Sequence, residues 1–248
     1  MTVHVDAGVA QARTCDGFRR TCLVLLLLTL ATPIPALAAT RQVSFRADDG
    51  RTVTGALTEA SQRPAAAVVL VPMLGRPKDD WQSLAQRLAD AGITALAIDL
   101  RDAALPADGG SADAWSRDVV AAVGFLATQP DVRGGSLGVL GASLGANLAA
   151  LAAARDPRVR ALALLSPSLD YRGVRIEAAM RQYGSRPALL MASLRDPYAA
   201  RSARTLADKP PGPRELHWSD VPAHGTQMLA RDPDLGRALV EWFQRTLG

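Results

Sequence analysis

Gly141-Ala142-Ser143-Leu144-Gly145 lies between an aliphatic run, Leu137 to Leu140, and an alanine-rich run, Asn147 to Ala154. The first run reads as a buried strand and the second as a helix. The five residues between them then form a sharp strand-to-helix turn of the G-x-S-x-G type. Such a turn holds its middle residue in a strained conformation and lifts that side chain clear of the sheet edge. Glycines at both outer positions let strand and helix approach without side-chain clash. Ser143 is thereby a candidate nucleophile. The Leu144 amide, at the helix N-terminus, faces any oxyanion formed there. The pattern alone arises easily by chance in a chain with 20 glycines. The strand before it and the helix after it give it weight.

Outward from this turn, buried strands alternate with helices. Val43 to Arg46 and Val53 to Thr58 flank Asp48-Asp49-Gly50, a hairpin signal. Ala66 to Val71 is a continuous apolar run, as a strand buried on both faces requires, and Ile93 to Ile98 is the next buried strand. Trp81 to Ala91 carries helical spacing between them, with Asp79 or Asp80 as its expected cap and Gly92 as its stop. Further helices are expected over Ala114 to Ala127, Ile176 to Tyr183, Ala199 to Ala207 and Leu235 to Thr246. Further strands are expected over Val159 to Leu165, Ala188 to Ala192 and Glu215 to Trp218. This order predicts an α/β fold: a mostly parallel, doubly wound sheet with an antiparallel hairpin at its N-terminal edge. The connection from Ser166 to Ile176 leaves no room for a cap domain. Lys209-Pro210-Pro211-Gly212-Pro213 reads as a turn-rich connector rather than a domain linker.

The chain has 248 residues and a net charge of +4, with its arginines scattered. Nothing in that distribution forms a nucleic-acid footprint. Residues 1–38 read as a secretory signal peptide. Arg19-Arg20 precede the aliphatic run Leu23 to Leu30, and Ala36-Leu37-Ala38 closes it, with cleavage expected after Ala38. An uncleaved N-terminal membrane anchor is the alternative. The arginine pair is read as an ordinary positive n-region, with a twin-arginine signal as the second reading. Residues 39–248 then form one domain, exported to the periplasm or beyond. Cys15 and Cys22 both fall in the leader, so the mature domain has neither a disulfide nor a thiol nucleophile. Cys22 lacks the preceding small residue of a lipoprotein site.

A serine hydroxyl needs a base and an orienting acid. Two histidines lie beyond the leader. His217 falls inside the last strand and is expected to pack against the sheet. His224 falls in the loop after it and is the candidate base. Between nucleophile and base, Asp196 follows the strand Ala188 to Ala192 and is the candidate acid. It also reads as an N-cap before Pro197. Asp170 is the second choice. The loop after Ala66 to Val71 supplies the other oxyanion donor. Pro72 has no N–H, which leaves the Met73 amide, with Leu74 second. Met73 and Trp81 could also line an acyl pocket, core packing being the plainer role. No cofactor and no metal are implied, because no His/Cys ligand cluster and no phosphate loop occurs.

With these motifs assembled, the chain resembles the α/β-hydrolase superfamily over residues 43 to 247. Within it the chain is similar to small lidless hydrolases related to dienelactone hydrolase. The resemblance rests on the turn at Ser143, on Leu190-Met191-Ala192-Ser193-Leu194-Arg195-Asp196-Pro197, and on Ala223-His224-Gly225-Thr226. It implies a Ser143-His224-Asp196 triad cleaving a carboxylic ester of a small soluble substrate through an acyl-enzyme. Dienelactone hydrolases carry cysteine where this chain has Ser143, so their substrate is not carried over. A serine peptidase or acyltransferase on the same triad is one alternative. A non-catalytic binding protein on a hydrolase fold is the other.

Overall fold

The computed structural model describes residues 39–101, 112–208, 211, 212 and 214–248, together with Thr2. The expected leader, Thr2 apart, and Lys209, Pro210 and Pro213 of the connector lie outside the described residues.

Eight strands form one sheet. They are β1 (Thr40–Arg46), β2 (Thr52–Thr58), β3 (Ala65–Val71), β4 (Ile93–Ile98), β5 (Val132–Ala142), β6 (Val159–Leu165), β9 (Ala188–Ser193) and β10 (Arg214–Ser219). Two further short strands, β7 (Asp170–Tyr171) and β8 (Val174–Arg175), pair with each other as a separate antiparallel hairpin. The large sheet runs β1-β2-β4-β3-β5-β6-β9-β10. β1 pairs antiparallel with β2, and β2 with β4. All pairs from β4 to β10 are parallel. The mixed edge is therefore where the Asp48-Asp49-Gly50 turn predicts it. Gly50 takes a left-handed φ of 81° there.

Among the described residues seven α-helices occur: α1 (Gln82–Asp90), α2 (Ala112–Ala127), α3 (Leu144–Arg155), α4 (Glu177–Tyr183), α5 (Pro197–Ala207), α6 (Thr226–Arg231) and α7 (Pro233–Leu247). They cover both faces of the sheet. Side chains alternate along each central strand, so Val69, Val139 and Leu162 enter one core with α2, α3, α4 and α5. Val68, Leu70, Leu140 and Ala163 enter the other with α1, α6 and α7. β3, β4 and β9 are buried throughout, which is why their sequences are mostly apolar rather than alternating, with Thr94 and Ser193 as buried polar exceptions. Among the described residues, no helix is long and apolar enough to cross a membrane.

Three local details depart from the sequence reading. A 3-10 turn, Lys78–Trp81, precedes α1, and neither Asp79 nor Asp80 caps that helix. Asp80 is instead held by Arg76 in a two-pronged ion pair. The Ser166–Ile176 connection carries the β7–β8 hairpin, too short for an apolar period to reveal. A short helix, α6, intervenes between His224 and the final helix.

Strand order places the reactive edge. The chain leaves β3 toward β4 on one side, then returns past β3 to β5 on the other. Loops leaving the carboxyl ends of β3 and β5 diverge there, and such a switch point opens a crevice. Pro72-Met73-Leu74 and Ser143 both emerge at it.

A buried ion pair fastens the end of β4 to α2. Arg101 donates from Nε to Asp118 Oδ2 at 2.7 Å and from Nη1 to Asp49 Oδ2 at 2.9 Å. A third bond joins its Nη2 to the other Asp118 oxygen. The Arg101 and Asp118 side chains are only 10% and 1% exposed. Those hydrogen bonds, that to Asp118 foremost, raise the Arg101 pKa above its already high ordinary value. Removing Asp118 leaves the buried guanidinium with Asp49 alone and two donors unpaired, and breaking a buried pair in this way costs about 3–5 kcal/mol. Asp118→Ala should therefore lower Tm by roughly 10 °C, at ~2–4 °C per kcal/mol for a domain of this size. The double variant Arg101→Met/Asp118→Leu should recover most of that loss. Thermal unfolding followed by circular dichroism reads both. An unchanged Tm in Asp118→Ala would show that the pair does not secure α2.

Candidate active site

Ser143 joins β5 directly to α3 with φ 53° and ψ −122°. A non-glycine residue pays of order 1–3 kcal/mol for such a conformation, so its neighbours must enforce it. They do so by backbone contact. A Cβ at Gly145 would lie 2.3 Å from the Pro72 carbonyl oxygen and 2.5 Å from that of Val71. A Cβ at Gly141 would lie 2.1 Å from the Gly145 carbonyl oxygen. Strand, turn and the β3 loop thus meet main chain to main chain. The Ser143 N–H donates to the Leu165 carbonyl at 2.9 Å, which ties the turn to β6.

The sequence-predicted triad residues converge on this turn from three separate loops. His224 Nε2 lies 2.8 Å from Ser143 Oγ. His224 Nδ1 lies 2.5 Å from Asp196 Oδ2. Asp196 is the N-cap that its place before Pro197 suggests: Oδ1 accepts from the Ala199 amide at 3.2 Å and caps α5, with Pro197 in the first turn. Capping fixes the carboxylate's rotation, so Oδ2 is left facing the ring. The His224 side chain is 45% exposed and that of Asp196 19%. Asp196 therefore sits behind His224, whose ring faces solvent beside Ser143.

The other candidates lie apart from this cluster. Asp170 is engaged in the β7–β8 hairpin, accepting from Arg175 Nε at 2.7 Å and from the Gly173 amide at 2.7 Å. The Arg175 hydrogen bond, then that of Gly173, holds its carboxyl below the usual range. His217 lies within β10, in register with Met191 of β9 and half-buried.

Leu144 is the first residue of α3, where helix geometry offers its N–H no carbonyl four residues back. Met73 follows Pro72, whose carbonyl packs on that same first turn. The two side chains suggested for an acyl pocket divide. Trp81 is fully buried in the core with α1 and α7. It closes the 3-10 turn against the sheet, so it lines no acyl pocket. Met73 is half-buried, and its sulfur accepts from the Thr226 N–H at 3.3 Å and lies 3.5 Å from Thr226 Oγ1. It ties the β3 loop to the histidine loop. A polar cavity of about 710 Å3 borders Leu74 and Gly75, lined also by Arg51, Asp99 and Arg101. None of the three triad residues lines it.

Hydroxyl tethers between loops carried no signal in the sequence. Ser193 Oγ donates to the Val221 carbonyl at 2.5 Å, joining the end of β9 to the loop that carries His224. Ser219 Oγ bonds Asp232 Oδ2 at 2.7 Å. Asn147, fully buried one turn after Ser143, donates to the carbonyls of Ser168 and Val174 and accepts from the Ser168 amide. Only a polar residue at a position of helical apolar period hints at that clamp.

Comparison with known proteins fits this architecture. Residues 62–234 match the Hydrolase_4 family model, described as serine aminopeptidase, S33. The match spans more than half the chain, so the protein belongs to that family and to the α/β-hydrolase superfamily. A curated relative, polyketide transferase ATR5 of Stachybotrys chlorohalonatus (strain IBT 40285), is 29% identical over 161 residues, 61% of this chain and 54% of that protein. The chain thus spans about half of that relative's length. Among solved structures, dienelactone hydrolase from Anabaena variabilis superposes with a TM-score of 0.74 at 20% identity, over 86% of this chain and all of that one. The esterase domain of a Rhodothermus marinus protein gives 0.69 at 18% identity, over 85% of this chain and all of that domain. These likenesses show the fold.

The backbone contact at Gly145 generates a stability test. Gly145→Ala sets a methyl against main chain that cannot rotate away. Overpacking of this kind costs about 3 kcal/mol, a fall in Tm of roughly 6–12 °C. Urea denaturation of the purified variant measures it. A loss below about 1 kcal/mol would mean that β3 and α3 can part without cost.

Proposed function

We propose that the protein is a serine hydrolase that cleaves a carboxylic ester through Ser143, His224 and Asp196. The observation carrying this is one continuous hydrogen-bonded line, 2.8 Å from Ser143 Oγ to His224 Nε2 and 2.5 Å from His224 Nδ1 to Asp196 Oδ2. A base must lie within about 2.6–3.2 Å of the proton it takes, and His224 does. In this reading, Ser143 Oγ attacks the acyl carbon while its proton passes to His224 Nε2. Asp196 holds the other ring nitrogen protonated and steadies the imidazolium. The Leu144 and Met73 amides receive the oxyanion. His224 returns the proton to the departing alcohol, and water then repeats the sequence on the acyl-enzyme to release the acid. A half-exposed ring and a short Ser166–Ile176 connection favour small, soluble esters.

The relative named a polyketide transferase supports a second reading, in which an alcohol or amine replaces water in the deacylation step. Product analysis with added small alcohols distinguishes the two. Hydrolysis leaves free acid as the main product, whereas transfer yields mainly the new ester. We further propose that residues 1–38 direct export, so that the protein acts outside the cytoplasm. N-terminal sequencing of protein from its host should then return a start at Ala39, and a start before Leu23 would overturn that proposal.

The triad is tested by kinetics on p-nitrophenyl acetate. Ser143→Ala and His224→Ala should each lower kcat by at least about ten-thousandfold. Asp196→Asn should cost a comparable factor of about 10,000, because the amide favours the wrong tautomer of the ring. Asp170→Asn and His217→Ala should turn over at near the wild-type rate. Wild-type activity in Ser143→Ala would remove the nucleophile from this account. An inactive Asp170→Asn beside an active Asp196→Asn would reassign the acid.

A further inference from the structure

Ser166 is a buried serine that the proposed reaction does not use. It directly follows β6 and is 1% exposed. Its φ is 51°, a left-handed value that non-glycine residues rarely take. Its N–H donates to the Met191 carbonyl of β9 at 2.7 Å. That anchors the residue within the sheet and aims its side chain outward from the sheet's end. Ser166 Oγ then accepts from the Gly225 N–H at 2.9 Å. Its own hydrogen faces the buried sulfur of Met228, 3.7 Å away.

Gly225 is the residue after His224. Its amide is buried, and its backbone, with φ 55° and ψ −135°, is also left-handed. A Cβ there would lie 2.2 Å from Met73 Sδ. The next amide, that of Thr226, donates to the same sulfur at 3.3 Å. Two successive N–H groups after the base are thus captured by side chains from two different loops, Ser166 on one and Met73 on the other. The His224 side chain is 45% exposed, so packing restrains little of the ring. Its placement comes from the Asp196 carboxylate at Nδ1 and from the backbone that carries it. The peptide between Leu165 and Ser166 also serves the nucleophile, because the Leu165 carbonyl accepts the Ser143 N–H at 2.9 Å. The end of β6 therefore references Ser143 and His224 to one another.

We propose that Ser166 is a positioning residue that, by holding the Gly225 amide, sets His224 Nε2 at hydrogen-bonding distance from Ser143 Oγ. The inference rests on the triad reading above. Without the hydroxyl, the Gly225 N–H is left buried and unpaired. It regains a partner only if the loop shifts, and the shift carries His224 with it. An error of about 1 Å in a reacting group costs on the order of a hundredfold in rate.

A double-mutant cycle on p-nitrophenyl acetate tests this, with acylation followed under single-turnover conditions. Ser166→Gly removes the hydroxyl while accepting the left-handed backbone without strain. Ser166→Ala removes the hydroxyl and keeps the Cβ. Each should lower the acylation rate roughly ten- to a hundredfold, with KM unchanged, because the ring acts in the transition state and not in binding. In a His224→Ala background, Ser166→Gly should cause no further loss, since its effect passes through the missing ring. A full wild-type rate in Ser166→Gly overturns the proposal. So does an equal fold-loss with and without His224, which would place the effect elsewhere. Ser143→Ala run in parallel separates the two levels. If it retains activity the triad reading fails, whereas if it is dead and Ser166→Gly is fully active, only the role of Ser166 fails.

Discussion

Main-chain contact between the turn at Ser143 and the loop after β3 is the constraint on which the rest of the site depends. The Gly145 α-carbon sits where a methyl would be 2.3 Å from the Pro72 carbonyl oxygen. That closeness forces the chain to reverse from β5 into α3 without an intervening loop. The reversal in turn drives Ser143 to its positive φ and out of the sheet. It also brings the Pro72-Met73 peptide beside the N-terminus of α3. The proposed nucleophile and oxyanion donors are thus products of one packing event rather than separately placed parts. An unstrained serine in an ordinary loop would have rotamer freedom and no fixed relation to either amide.

The remaining groups are placed by sharing. Asp196 uses one carboxylate oxygen to cap α5 and the other to hold His224. A stabilising cap thereby orients the proposed acid. Ser193 and Ser166 each fasten one element of the site to another through a single hydroxyl. Met73 carries the proposed oxyanion amide, while its sulfur accepts from the Thr226 N–H two residues after His224. Such double use ties the loops of the site to one another. It also makes the groups interdependent, so deletions at the site should combine non-additively.

Much of this was legible in the sequence because its signals are local. G-x-S-x-G between two apolar runs is a short-range pattern, and chain order places acid and base after it. The buried β3 announced itself as an unbroken apolar stretch, and Gly50 and Gly92 marked the hairpin turn after β1 and the end of α1. What the sequence hid was long-range or too short to show a period. No spacing in the chain relates Ser166 to Gly225, 59 positions on. The β7–β8 hairpin has two residues per strand, below any alternation. Asp80 reads as a helix cap, yet Arg76 four residues earlier takes it in an ion pair. A 3-10 turn, rather than the first turn of α1, carries Trp81.

The central claim is that Ser143 is made nucleophilic by His224. Mass-spectrometric mapping of a fluorophosphonate adduct tests it most directly, because such probes form a bond only with an activated hydroxyl. The account predicts one adduct per chain, on the peptide bearing Ser143, and no adduct when His224 is alanine. An unlabelled native protein, or an adduct on any other residue, would contradict it.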